Sequence, residues 1–201
     1  MQKGRDRVVF IHRCNSPLGG ITAASDGTAL TGLWFESQKY FPVLTPGGYE
    51  EKPLPVFTLT DKWLDIYFGG RAPGFTPPLG IKSTPFRAEV YDILLTVPFG
   101  QTVTYGEIAD TIANRHGLSR MSAQAVGSAV SRNPVSLIIP CHRVIGADGS
   151  LTGYAGGLCR KAKLLELERE GFPLIRSDGL TLTQDRTGCV PYDDSSMNGV
   201  H

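Results

Sequence analysis

The sequence predicts an α+β chain: a small antiparallel sheet with one helix, followed by a mostly helical part that carries a candidate active-site cysteine. Three observations support this. Strand-length apolar runs crowd the first 35 residues around an Asp-Gly turn, helix-spaced apolar stripes dominate from residue 60 onward, and the run Pro73 to Gly80, with three prolines and two glycines, divides the two regimes. The 201 residues, 41% of them hydrophobic, suffice for one substantial core or two small ones.

Val8 to Arg13, Leu18 to Ala24 and Ala29 to Phe35 read as strands, the last two joined by Ser25-Asp26-Gly27-Thr28, because Asp-Gly tolerates the left-handed backbone of a tight hairpin. Tyr40 to Pro55 reads as a loop. Thr60 is the expected cap of a helix with Trp63, Leu64, Tyr67 and Phe68 on one face, stopping at Gly69-Gly70. The prolines of 73–80 mark a linker, so residues 1–80 form one expected domain and 81–173 a second, with 174–201 as a tail. In the second domain Thr84-Pro85 opens a helix with the stripe Phe86, Val90, Ile93, Leu94 and Val97, ended by Pro98-Phe99-Gly100. Thr104 to Glu107 has capping-box spacing and starts a short helix carrying Ile108, Ala109 and Ile112 to near Gly117. Another starts at Ser122, with Met121 and Val126 placed as a hydrophobic staple. Two short helices so joined predict a helix-turn-helix. Val135 to Ile139 is short, apolar and β-branched, a buried strand or extended segment; Asp148-Gly149 is a turn, and Leu158 to Glu170 is an amphipathic helix that Gly171 can end.

Met1 to Arg7 leads only into a short apolar run broken by His12 and Arg13, and no stretch nears the roughly 20 apolar residues of a membrane span. A cytoplasmic monomer is expected. Cys14, Cys141, Cys159 and Cys189 are scattered without a C-x-x-C pair, and His12-x-Cys14 stands alone, so neither disulfides nor a metal site is expected. The net charge is only +1, yet between Thr111 and Ala147 there is no acid, while Arg115, Arg120, Arg132 and Arg143 are present. That window predicts a local cationic patch suited to phosphates.

The chemistry converges on Pro140-Cys141-His142-Arg143-Val144. An imidazole beside a thiol favours the thiolate, the reactive form of sulfur. In a regular strand the two would face opposite sides, so cooperation requires a turn. Around them stand Asn133-Pro134 upstream, Gly153-Tyr154-Ala155-Gly156-Gly157 downstream, and a K-x-x-L-L-x-x-E helix ending in Glu168. From Thr84 to Gly171 the chain resembles the O6-alkylguanine-DNA alkyltransferases, or methylated-DNA–protein-cysteine methyltransferases. Ser16-Pro17-Leu18-Gly19 and the strand order extend the resemblance to that family's ribonuclease-H-like N-terminal domain.

The resemblance implies repair of double-stranded DNA carrying O6-alkylguanine, with O4-alkylthymine as a further substrate. The alkyl group moves irreversibly to Cys141 after the base is flipped out of the stack. His142 would take the thiol proton through a water, Glu168 would hold the imidazole, Asn133 would brace the turn before the nucleophile, and Tyr105 would donate to the base and crowd its phosphate. Tyr154, Ala155 and Gly156 would lie against the extruded base. Val126 and Val130 face inward, leaving Gln124, Gly127, Ser128, Ser131 and Arg132 outward on a helix of small side chains, one that suits either close backbone approach to DNA or packing against another helix. The resemblance favours DNA, in the minor groove, with Arg120 nearby. Where the best-known members place an arginine before Ala-Val-Gly, this chain has Gln124. No cofactor is expected, and the glycine run lacks the G-K-[ST] of a phosphate loop. Two other readings of the residues are a helix-turn-helix protein without chemistry and a cysteine hydrolase using Cys141, His142 and Glu168.

Overall fold

The computed structural model describes residues 9–43, 45 and 47–171. The tail 174–201 and Cys189 lie outside them. Strands β1 (Val9–Ser16), β2 (Gly19–Ser25) and β3 (Leu30–Phe35) form an antiparallel meander, and β4 (Tyr49–Glu51) pairs parallel to β1, giving the order β3-β2-β1-β4. The hairpin turn forms because Gly27 adopts a φ of 107° and Asp26 Oδ1 accepts from the backbone N–H groups of Thr28 and Ala29. Strand β4 falls where a loop is expected. Its Tyr-Glu-Glu carries no apolar alternation, and backbone pairing with Val9 to Ile11 alone defines it.

Helix α1 (Pro55–Phe68) starts at a proline in the first turn rather than at Thr60. Thr60 is buried inside the helix and its hydroxyl donates back to the Val56 carbonyl at 2.8 Å, satisfying itself without capping anything. Trp63, Leu64, Tyr67 and Phe68 are buried as expected, and Gly69 ends the helix. Helices α2 (Pro85–Thr96), α3 (Tyr105–Arg115) and α4 (Ala123–Ser131) begin at Thr84, Thr104 and Ser122, each side chain accepting a backbone N–H of the first turn. In α3 the capping box is complete, since Glu107 accepts in return from the Thr104 N–H at 2.7 Å. Helix α5 (Leu158–Glu170) ends at Gly171 with a φ of 66°. Strands β5 (Val103–Thr104) and β6 (Val144–Ile145) pair in parallel.

The free edge of β3 is used twice. Pro78 and Gly80 exchange backbone hydrogen bonds with Leu30, and Pro134 and Ser136 do so with Leu33. An unpaired edge would leave donors and acceptors idle. Here it docks both the 73–80 segment and the chain leading to Cys141. The buried strand or extended segment expected over Val135 to Ile139 is reduced to an isolated bridge between Leu33 and Val135. The chain then folds into a turn, with Ile139 N–H on Val135 O and Leu137 at a φ of 71°. The run is apolar because it is buried, which periodicity cannot distinguish from a strand. One apolar cluster runs from β2, β3 and α1 through α2, α3 and α4 to α5. Among the described residues no helix is long and apolar enough to cross a membrane.

Candidate active site

The turn that cooperation requires is present: Cys141–Arg143 forms a single 3-10 turn in which all three residues are buried. Asn133, 6% exposed, fixes its approach. Its side-chain oxygen accepts from Val135 N–H, and its amide donates to Ile139 O at 2.8 Å and contacts Cys141 Sγ at 3.1 Å. Burial pushes the Cys141 thiol up to about 11, against the pull of the Asn133 amide, the Lys161 charge and nearby backbone N–H groups. The resting sulfur is therefore a thiol. The imidazole next in sequence does not offset that burial: His142 Nε2 is hydrogen-bonded to Glu168 rather than to the sulfur.

Glu168 is the hub of this region. Its carboxylate accepts from Tyr67 Oη at 2.7 Å, His142 Nε2 at 2.7 Å, Gly100 N–H at 3.0 Å, and Arg143 Nε and Nη2 at 2.8 and 3.0 Å. Burial alone would raise its pKa, but the hydrogen bonds and charges of His142 and Arg143 bring it down to about 2. It is an ionised carboxylate whose lone pairs are occupied. Burial lowers the His142 pKa, with Arg143 and Lys161 acting in the same direction against Glu168. A neutral ring donating from Nε2 leaves Nδ1 with a lone pair. Nδ1 and the hydroxyl of Tyr154 are both buried with no hydrogen-bond partner among the described residues, and the two rings meet edge to face at 6.3 Å.

Tyr105, Gln124, Gly127, Ser128, Thr152 and Gly153 line an open groove of about 510 Å³ along α4. Tyr105 Oη donates to Thr152 O at 3.1 Å; a Cβ on Gly153 would sit 2.7 Å from that hydroxyl, so the residue must be glycine there. Gly156 is required likewise, since a Cβ would lie 2.6 Å from the Tyr154 ring. Ala155 O accepts from Lys39 N–H at 3.0 Å, tying the glycine-rich loop to the segment after β3.

A family model described as "6-O-methylguanine DNA methyltransferase, DNA binding domain" matches residues 85–170. The methylated-DNA–protein-cysteine methyltransferase of Mycobacterium bovis is 43% identical over 167 residues, spanning 83% of this chain and 96% of that protein. The chain belongs to the methylated-DNA–protein-cysteine methyltransferase family. The methyltransferase of that name from Haemophilus influenzae is 39% identical over 77% of this chain and 83% of its own. In three dimensions the chain is similar to the Mycobacterium tuberculosis OGT crystallised in complex with DNA, with a TM-score of 0.71 at 40% identity over 82% of this chain and 95% of that one.

Within this methyltransferase fold, Cys141, His142, Glu168 and Asn133 meet in one buried cluster, and Tyr154 joins it through the His142 ring. Tyr105, Gln124, Gly127 and Ser128 meet in the groove, while Arg120 and Arg132 are exposed outside its lining. Arg132 lies over the Tyr40 ring at 4.4 Å. The expected cationic patch is smaller than its sequence window, because Arg143 is 8% exposed and bound to Glu168 and Val97 O, and Arg115 faces Glu89 at 3.6 Å. Sequence reasoning missed two residues. Tyr67 was read as part of an apolar face, and nothing in the sequence marks its hydroxyl as a partner of residue 168. Lys161, the lysine of the K-x-x-L-L motif, is wholly buried and donates to Val144 O and Thr152 O, and burial lowers its pKa to about 8.

Proposed function

We propose that the protein repairs double-stranded DNA by moving the alkyl group of O6-alkylguanine to Cys141 once and irreversibly, with O4-alkylthymine as a second substrate to test. The observation that carries this reading is the buried Asn133–Cys141 and His142–Glu168–Arg143 cluster beside the groove of α4. His142 Nδ1 accepts the thiol proton through a water held with the Tyr154 hydroxyl. Two buried polar atoms without protein partners suit such a water. The thiolate attacks the alkyl carbon; the S–C bond forms, the C–O6 bond breaks, and its electron pair leaves with the guanine. Tyr105 donates to the departing base, and Glu168 stabilises the imidazolium without itself being protonated. The product is a thioether, which offers water no carbonyl to attack, so turnover stops.

A base within a duplex cannot reach a cysteine that is 4% exposed, so the nucleotide must be flipped into the site. In this reading residues 1–80 form the ribonuclease-H-like domain, 81–173 the alkyltransferase domain and 174–201 an appendage. Helices α3 and α4 form the helix-turn-helix, with Gly127 and Ser128 against the minor groove and Arg120 and Arg132 on phosphates. Tyr154, Ala155 and Gly156 contact the flipped base. The protein acts as a cytoplasmic monomer. Intact-mass spectrometry after mixing with O6-methylguanine duplex should show one methyl per chain, and peptide mapping should place it on Cys141. Label mainly on another cysteine, or methyl release in excess of protein, would sink the proposal.

A further inference from the structure

A second cluster of metal-ligating side chains lies on the sheet, away from Cys141. His12 and Cys14 project from the same face of β1, two residues apart. Opposite them α1 presents Asp61, 49 residues from His12 along the chain. His12 Nε2 lies 3.0 Å from each oxygen of the Asp61 carboxylate, and a ligand atom from each of His12, Cys14 and Asp61 falls within 4.8 Å of the others. Asp65, one helical turn beyond Asp61, and Glu36, just past the end of β3, are close enough to act on the Cys14 thiol electrostatically. The side chains are half-buried, so an ion can enter from solvent. Stacking of the His12 ring on Phe57, with centroids 5.3 Å apart, orients its Nε2 side.

The bland account of these atoms is an ion pair between groups that are each more than a third exposed or nearly so, at 33% and 40%, and such a pair contributes little to stability. Cys14 Sγ also contacts Ile21 O at 3.7 Å, but neither contact accounts for an imidazole, a thiol and a carboxylate meeting at one half-buried point. One imidazole, one sulfur and one carboxylate converging from a strand and a helix form the nitrogen, sulfur and oxygen donor set of a zinc-class cation, with a water for the fourth position. We propose that His12, Cys14 and Asp61 bind a zinc-class divalent cation that clamps β1 to α1. The sequence gives no sign of this, because Asp61 is remote from the His12-x-Cys14 pair and its spacing matches no motif. The clamp would also steady the helix that delivers Tyr67 to Glu168.

Metal-free full-length protein titrated with Co²⁺ tests this, since a cobalt–thiolate bond gives a near-ultraviolet charge-transfer absorption that carboxylates and imidazoles do not. We expect one equivalent to saturate the band and Zn²⁺ to displace it. Cys14→Ser should abolish the band, and His12→Ala or Asp61→Ala should each weaken binding at least tenfold. Cys141→Ser and Cys189→Ser should leave it intact. Zn²⁺ should raise the Tm of the unaltered protein and not that of Cys14→Ser, whose fold is checked by circular dichroism and a cooperative thermal melt. No band, a band that survives Cys14→Ser, or one lost with Cys141 or Cys189 would overturn the site. None of these outcomes depends on whether Cys141 accepts alkyl groups from DNA.

Discussion

At the scale of single residues, the proposed chemistry rests on a thiol held neutral until a proton acceptor is ready, and on a carboxylate held ionised throughout. Tyr67 joins the second arrangement from outside the motif: its hydroxyl donates to Glu168 and lies 3.2 Å from His142 Nε2. Tyr67→Phe removes a hydrogen bond to a buried charge, and such bonds contribute about 1.5–3 kcal/mol. We expect a loss of stability of that order in urea denaturation. Because Tyr67 acts through His142, alkyl transfer should slow equally on duplex and on free O6-benzylguanine, with a displaced pH–rate profile. Gln124 should behave oppositely. It is exposed at the groove, and if it fills the gap left by a flipped base, Gln124→Ala should slow duplex repair much more than reaction with the free base, while Gln124→Arg should keep or raise the duplex rate. Equal losses on both substrates in the alanine variant would remove that role. Glu168 also sets a pH dependence of stability. Its pKa falls from 4.5 to about 2 on folding, so its contribution is complete above about pH 4.5 and is lost as pH drops towards 2. The amount is on the order of 3 kcal/mol. Denaturation series at pH 6 and pH 3 should show that slope in the unaltered protein and a much smaller one in Glu168→Gln.

Among the secondary-structure elements, starts and stops that depend on local chemistry were legible, and those that depend on burial were not. Thr84-Pro85, the Thr104–Glu107 box, Ser122 and Gly171 bound their helices where the sequence places them, because a cap is decided within a few residues. Thr60 misled because the same hydroxyl can cap a helix or bond back to the preceding turn, and only burial separates the two. The run before Cys141 misled for a related reason, since apolar β-branched residues suit a buried turn as well as a strand. The box at Thr104 has a functional consequence, as it sets the first turn of α3 and with it Tyr105. Thr104→Ala should cost about 1 kcal/mol of stability, read from thermal melts. It should also reduce duplex repair more than reaction with the free base. A variant with unchanged duplex repair would detach the cap from DNA engagement.

Taken as a whole, the molecule places Cys141 where two halves of the chain meet, and that meeting could not be read from sequence. Cys141, His142 and Glu168 were identifiable because their motif is contiguous or lies on one short helix. Tyr67, the β3 edge contacts and the loss of Arg143 from the surface all depend on pairs far apart in sequence. The loss of Arg143 shapes DNA binding. With Arg143 buried and Arg115 beside Glu89, Arg120 and Arg132 remain as the main cations of the window, so we expect few phosphate contacts. The logarithm of affinity for undamaged duplex should fall with the logarithm of salt at a slope of about −2, with little preference among sequences. A much steeper slope would mean that cations outside this face take part.

The donors gathered by Glu168 come from 25, 26, 68 and 101 residues away. Contacts of such separation form late, because each requires a long loop to close before it contributes anything. The helices, whose bonds are local, can form early. Recovery from denaturant should therefore pass through a stage with native-like helix content in which Cys141 does not yet react with benzylguanine, and reactivity should return only when α1 and α5 have docked. A rapid-mixing experiment that found both signals rising together would show instead that the site forms in the same step as the helices.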